Sequence, residues 1–128
     1  MGNGTPIGRV RGLGTAHHGA HHWMLQRFTA IGNLVLMSYL VISFALLGDF
    51  GHASVVKWLS TPIAATAIIL LVISVFWHAR LGLQVLIEDY MVDPGTKFAL
   101  IAALNLAIIG GGAFAIFSVA ALAFGGQA

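Results

Sequence analysis

The stretch "FWHARLGLQVLIEDYM", Phe76 to Met91, decides how this chain is read. A long apolar run precedes it, yet it holds a histidine, an arginine, a glutamate, an aspartate and a tyrosine. Such groups are expensive in lipid, and where they occur there they mark function. The rest of the chain says that the segment does lie in lipid. Of its 128 residues, 59% are hydrophobic and only 8% charged, with a mean hydropathy of +0.93. So few charges cannot clothe a soluble domain, and the chain reads as an integral membrane protein of one domain. The net charge is only +2, with no Lys/Arg cluster among aromatics, so no nucleic-acid partner is expected. Cysteine is absent, so any cysteine-ligated iron–sulfur cluster must sit on a partner. The first apolar run starts only after Arg27 and is too long for a signal-peptide core, so no cleavable leader is expected.

The fold class expected is all-α, with three transmembrane helices over about 28–48, 61–87 and 98–124. Each run reaches the ~20 residues that cross a bilayer, where a backbone must satisfy its own hydrogen bonds. Residues 1–26 form an N-terminal segment, Gly- and His-rich and loosely ordered, with a short helix near His21; residues 27–128 form the anchor. "GDFG" (48–51) ends the first span. Ser60 and Thr61 are positioned to cap the second span, with Pro62 in its first turn. "DPGTK" (93–97) reads as a turn, and "GGG" (110–112) as a kink or a close helix crossing. Arg9, Arg11 and Arg27 outweigh Lys57 of the 49–60 loop, and Lys97 adds to the same side. The N-terminus and "EDY" are therefore expected to face the cytoplasm.

At 100° per residue, Gly82 lies about 40° and Asp89 about 20° from His78, so the three share a helix face. Arg80 points about 200° away, and Tyr90 about 120°. His78 lies roughly 15 Å below the helix end, near the middle of a bilayer. Two readings fit an imidazole there. It is either a neutral histidine bonded to a neighbouring helix, or an axial ligand to haem iron with Gly82 leaving room for the flat ring. Glu88, Asp89 and Tyr90 are either ordinary interfacial residues or a quinone site, with the phenol donating to a quinone carbonyl. Arg27 either snorkels or pairs with an anionic group such as a haem propionate. The pairs His17/His21 and His18/His22 have metal-binding spacing but no acid or cysteine to complete a shell. Arg80 is expected to snorkel past neighbouring turns rather than line a cavity.

These residues resemble a known family. His78, Gly82, Asp89 and Tyr90 form "H-x-x-x-G-x-x-x-x-x-x-D-Y", which is similar to the second helix of the hydrophobic membrane anchor of succinate dehydrogenase, the D subunit of respiratory complex II. "RFTAI" (27–31) resembles the family's "R-x-T-A-I", with His21 six residues before the arginine. The resemblance covers the whole chain in length, spans and loop sizes. It implies packing against a second three-helix cytochrome b anchor subunit, with one haem b between the two. His78 would be this chain's axial ligand, Arg27 and His21 propionate contacts, Tyr90 the ubiquinone hydrogen-bond donor and Asp89 its supporting acid. A flavoprotein subunit would oxidise succinate and an iron–sulfur subunit would pass electrons on, joining the citric acid cycle to the respiratory chain. This chain would have no succinate chemistry alone. Arg80 departs from relatives that carry an aromatic there. The style of "EDY" and "DPGTK", with no transit peptide before the motif, favours a bacterial inner membrane over a mitochondrial one. The rival readings are a fumarate reductase anchor and a haem-free structural or assembly protein.

Overall fold

The computed structural model describes residues 19–125, and within them every regular element is helical. Helix α1 is Gly19–Ala45, α2 His52–Leu59, α3 Pro62–Tyr90 and α4 Pro94–Gly125. Helices α1, α3 and α4 are each long and apolar enough to cross a membrane. At 1.5 Å per residue they measure roughly 40, 43 and 48 Å, against a hydrocarbon core of about 30 Å. Each therefore has turns to spare beyond the lipid or accommodates the excess by tilting.

Helix α1 begins earlier than the apolar run suggests. The helix expected near His21 is the start of the first span itself. Gly48 adopts φ +72° and reverses the chain after α1, a conformation that costs glycine little. The 49–60 stretch, expected as a loop, holds α2, whose Val55, Val56, Trp58 and Leu59 are half-buried. Trp58 packs edge-on to Phe44 and donates its indole N–H to Ser43 at 2.8 Å, tying α2 to α1. Asp49 accepts from the Ser54 hydroxyl and the Gly51 N–H, and those bonds, in that order, lower its pKa.

The expected cap of α3 is corrected. Thr61 is the N-cap residue, but its hydroxyl donates backwards to the Trp58 carbonyl, and that of Ser60 to Val56. Both side chains therefore close α2 and leave the start of α3 to Pro62. The second turn is also shorter than expected. Only residues 91–93 are non-helical, because Pro94 opens α4 and the Asp93 carboxylate caps it by accepting from the Thr96 N–H at 2.7 Å.

Helix α3 is the middle of the arrangement. Helices α1 and α4 each pack on it, and among the described residues they do not touch one another. Small residues make this close packing possible: Ala64, Ala65 and Ala67 of α3 and Gly112 of α4 are buried. The triple glycine is a close crossing within an unbroken helix, with a Cβ on Gly111 falling 2.9 Å from the ring of Phe76. Among the described residues, Leu40 and Leu81 are the only large side chains in the buried hydrophobic core. Most other large apolar residues face outward, as suits lipid or a second membrane subunit rather than water.

Candidate functional site around His78

Helix α1 turns Gln26, Thr29 and Asn33 toward α3, because residues three and four apart share a helix face. Thr29 meets His78 there, with its Oγ1 at 3.0 Å from Nδ1. The same hydroxyl lies 2.9 Å from the Leu25 carbonyl and 3.1 Å from that of Gln26, to which it donates. Its lone pairs remain for the histidine, so Nδ1 carries the proton and donates to Thr29. Nε2 is then the unprotonated nitrogen, and it faces the Gln26 amide N–H₂ at 3.4 Å. One ring nitrogen oriented by an acceptor and the other left basic is the state of a ligating imidazole.

Gly82 stands beside this pair, where a Cβ would come 3.4 Å from Gln26 Nε2. A groove of about 640 Å³ opens there, with His22, Trp23, Gln26, Gly82, Val85 and Glu88 among its walls. The side-chain amide oxygen of Gln26, one of its wall residues, is buried without a partner. The missing side chain at Gly82 leaves space beside the Gln26 amide, which separates that space from His78 Nε2. The Gln26 amide would have to swing away from Nε2 to admit an iron-bearing ring. His78 is also hydrogen-bonded to a neighbouring helix, so the two readings of it are compatible.

The other sequence-derived residues fall in separate places. Arg27 lies over the ring of Trp23, 4.9 Å from its centroid. With His21 it lines a concavity on a different side of α1 from the one that meets His78, together with Met24, Phe28 and Ile31. The histidine that borders the groove at Gly82 is His22. Asp89 and Tyr90 are exposed at the end of α3, Tyr90 by 73%. Glu88 accepts from Gln84 at 2.8 Å, and its carbonyl from the Lys97 ammonium at 3.0 Å. His17 and His18 lie outside the described residues, as do Arg9 and Arg11.

Arg80 does not snorkel. Its Nε donates to Asn105 Oδ1 of α4 at 2.6 Å, and its guanidinium lies 5.6 Å from the ring centre of Trp77. A strong local acceptor across the helix crossing outcompetes a reach through neighbouring turns.

Residues 1–124 match the family model described as "Succinate dehydrogenase/Fumarate reductase transmembrane subunit". The chain belongs to this family. Among its relatives is the succinate dehydrogenase hydrophobic membrane anchor subunit of Rickettsia bellii, 39% identical over 101 residues, which cover 78% of this chain and 80% of the relative. The corresponding subunit of Rickettsia conorii is 34% identical over 102 residues, covering 78% and 80%. The succinate dehydrogenase membrane anchor subunit of Reclinomonas americana is 32% identical over 94 residues, covering 71% and 78%. No solved structure matches the chain.

As a transmembrane subunit of this family, the chain works within a complex, and its outward-facing apolar surface is consistent with that. Sequence reasoning missed Gln26, Asn33 and Asn105 as site residues. Thr29 stood within the "RFTAI" motif without a role. The available signal was the spacing of Gln26, Thr29 and Asn33, a polar stripe on one face of an otherwise apolar helix.

Proposed function

We propose that this chain is the membrane anchor subunit of a succinate:ubiquinone oxidoreductase that holds a haem b with His78 and forms one wall of the quinone-reduction site with Tyr90 and Asp89. The observation that carries the reading is the Thr29–His78 pair, which leaves Nε2 unprotonated beside the Gln26 amide that also adjoins Gly82. A second three-helix anchor subunit would complete the ligands of the haem, which when bound would supply a one-electron redox centre within the membrane. Arg27 and His21 are assigned to the propionate side. The N-terminal side of α1 and the 91–93 turn face the cytoplasm of a bacterial cell, and the anchor begins with α1 itself rather than at residue 27.

At the quinone site this chain's residues bind and orient. The Tyr90 hydroxyl donates a hydrogen bond to a quinone carbonyl, and the Asp89 carboxylate holds a neighbouring cation or passes on a proton. Both stand at the helix end where an iron–sulfur subunit can dock and deliver electrons from the flavoprotein. Both are exposed in the single chain, so the proposed pocket needs partner subunits to close it. The family name includes fumarate reductase, which reverses the physiological direction. The Rickettsia and Reclinomonas relatives favour succinate oxidation.

The test is an absorption spectrum of the purified complex with His78→Ala. The reduced b-type bands should disappear or shift to a high-spin form, with flavin content unchanged. An unaltered spectrum and haem stoichiometry would remove His78 from the haem.

A further inference from the structure

The hydroxyl that meets His78 belongs to a residue that α3 holds at a second point. Thr29 Oγ1 lies 3.0 Å from His78 Nδ1, and the Thr29 backbone carbonyl accepts from the Ser74 hydroxyl at 3.2 Å. Ser74 stands one turn before His78, about 6 Å along the axis and about 40° around it, so both face α1. Contacts run from Gln26 beside Gly82 to Gly32 beside Ser74, so α1 and α3 are antiparallel. Side chains lean toward the N-terminus of their helix, and carbonyls point toward its C-terminus. The Thr29 hydroxyl therefore leans toward His78 while its carbonyl points toward Ser74, and one residue of α1 engages two turns of α3.

Ser74 has a nearer use for its hydroxyl and does not take it. A serine inside a helix can return its hydroxyl to the carbonyl one turn back, as Ser118 does to Phe114 at 2.8 Å. Ser74 reaches across the crossing instead. Gly32 permits the approach, since even a Cβ there would stand 3.4 Å from Ser74 Oγ. The Thr29 side chain is fixed in its turn, because its hydroxyl donates to the Leu25 and Gln26 carbonyls. What remains free to part Oγ1 from Nδ1 is a slide of α1 along α3, and the Ser74 bond opposes that slide at the level of Thr29.

We propose that Ser74 is a positioning residue for His78. Its hydroxyl fixes the Thr29 backbone against α3, and with it the acceptor that sets the plane of the His78 ring. The inference rests on the reading of His78 as a haem ligand, and it names a group two bonds removed from the metal that acts through Thr29 alone. Groups that orient a ligating histidine govern how well it binds. A bond that merely joined two helices would weaken their packing when lost and leave the ring where it is. Loss of this one turns the ring.

The experiment uses the intact complex, as wild type, Ser74→Ala, Ser74→Thr and Ser74→Val. It reads the g-values of the oxidised low-spin haem, which follow the orientation of an axial imidazole, and the rate of haem loss to a competing apoprotein. Ser74→Ala should shift the g-values and release haem about two- to tenfold faster, the scale of one lost hydrogen bond. Ser74→Thr keeps the hydroxyl and should match wild type. Ser74→Val has the shape of that variant without the hydroxyl and should behave as Ser74→Ala. Wild-type g-values in Ser74→Ala overturn the proposal, even where the complex melts earlier, because the bond is then only structural. Should Ser74→Ala fail to assemble, g-values that agree between Ser74→Thr and Ser74→Val overturn it, by pointing to packing. His78→Ala separates this failure from that of the haem assignment. Survival of the b-type bands in His78→Ala removes both readings, whereas their loss there, with unmoved g-values in Ser74→Ala, removes Ser74 alone.

Discussion

Thr29→Val tests the chemistry of the His78 site at one atom. The change keeps the branched shape and removes the hydroxyl, whose Oγ1 lies 3.0 Å from His78 Nδ1. The carbonyls of Leu25 and Gln26 lose a second donor but keep their helical N–H partners, so little is lost on α1 itself. The cost falls on the imidazole. An Nδ1–H left without an acceptor is penalised by about 1–3 kcal/mol. That converts to roughly 5- to 150-fold in an equilibrium constant. Removing the group that orients a metal-bound histidine typically costs about 10–100-fold in affinity, which agrees. The penalty has an escape: the proton can move to Nε2, where it blocks the nitrogen proposed to bind iron. Either route weakens haem binding. The assay is haem retention by the purified complex against a competing apoprotein, followed by the b-type absorption bands. Thr29→Val should release haem about 10–100-fold more readily, and Thr29→Ser, which restores the oxygen, should resemble wild type. Retention by Thr29→Val equal to wild type, with His78→Ala still losing haem, would refute the tautomer argument and leave the ligand assignment standing. Loss in Thr29→Ser equal to that in Thr29→Val would refute it too, by pointing to packing.

Tyr90→Phe should slow quinone reduction about tenfold or more, for one lost hydrogen bond, while succinate oxidation by an acceptor that draws from the flavoprotein stays normal; equal loss of both activities would indicate failed assembly, and no loss would exclude the phenol. Gly110→Ala and Gly111→Ala should differ in sign. A Cβ at Gly110 meets nothing within 4 Å, so alanine gains up to about 1 kcal/mol of helix propensity there. At Gly111 it meets the Phe76 ring at 2.9 Å, and about 1–3 kcal/mol of overpacking offsets or exceeds that gain, as thermal melts of the complex would read. Asp93 titrates below the ordinary carboxylate range because the Thr96 backbone N–H, then its hydroxyl, bonds the carboxylate. Its cap is therefore fully present above the unfolded carboxylate value and fades as pH falls through the lowered folded one. Amide exchange at Thr96 should accelerate over that acidic window beyond its intrinsic pH dependence, and an Asp93→Asn variant should lack the extra step.

The three crossings were legible because a bilayer imposes one rule, a long run of apolar residues in helix. Helix α2 escaped the same reading, since eight residues are too few to show a period and its stability comes from Trp58 docking on Phe44 and Ser43. Ser60 and Thr61 have the right side chains to cap a helix, but the spacing does not say which one, and they close α2. His78 could be singled out from depth and composition alone. Its hydroxyl partner could not, because Thr29 lies 49 residues away and meets it only through the angle at which α1 crosses α3. The same limit applied to Arg80, whose partner Asn105 sits on a helix that the sequence does not orient.

The row of helices has a consequence for how one small chain can serve several ligands. With α1 and α4 flanking α3 and not touching each other, α3 keeps two open sides. Helical spacing puts His78 toward α1 and Arg80 toward α4, about 200° apart. Tyr90 then falls at about 120° and Trp77 at about −100° from His78, on opposite open sides. A quinone beside Tyr90 would therefore approach from the side away from Trp77. A closed three-helix bundle would have buried both sides of α3 and satisfied its own polar groups. This chain leaves Gln26 Oε1 and Asn33 Oδ1 buried and unpartnered, with most of its bulky apolar residues outward. Both facts fit a subunit whose core is finished by another chain and by what is bound between the two.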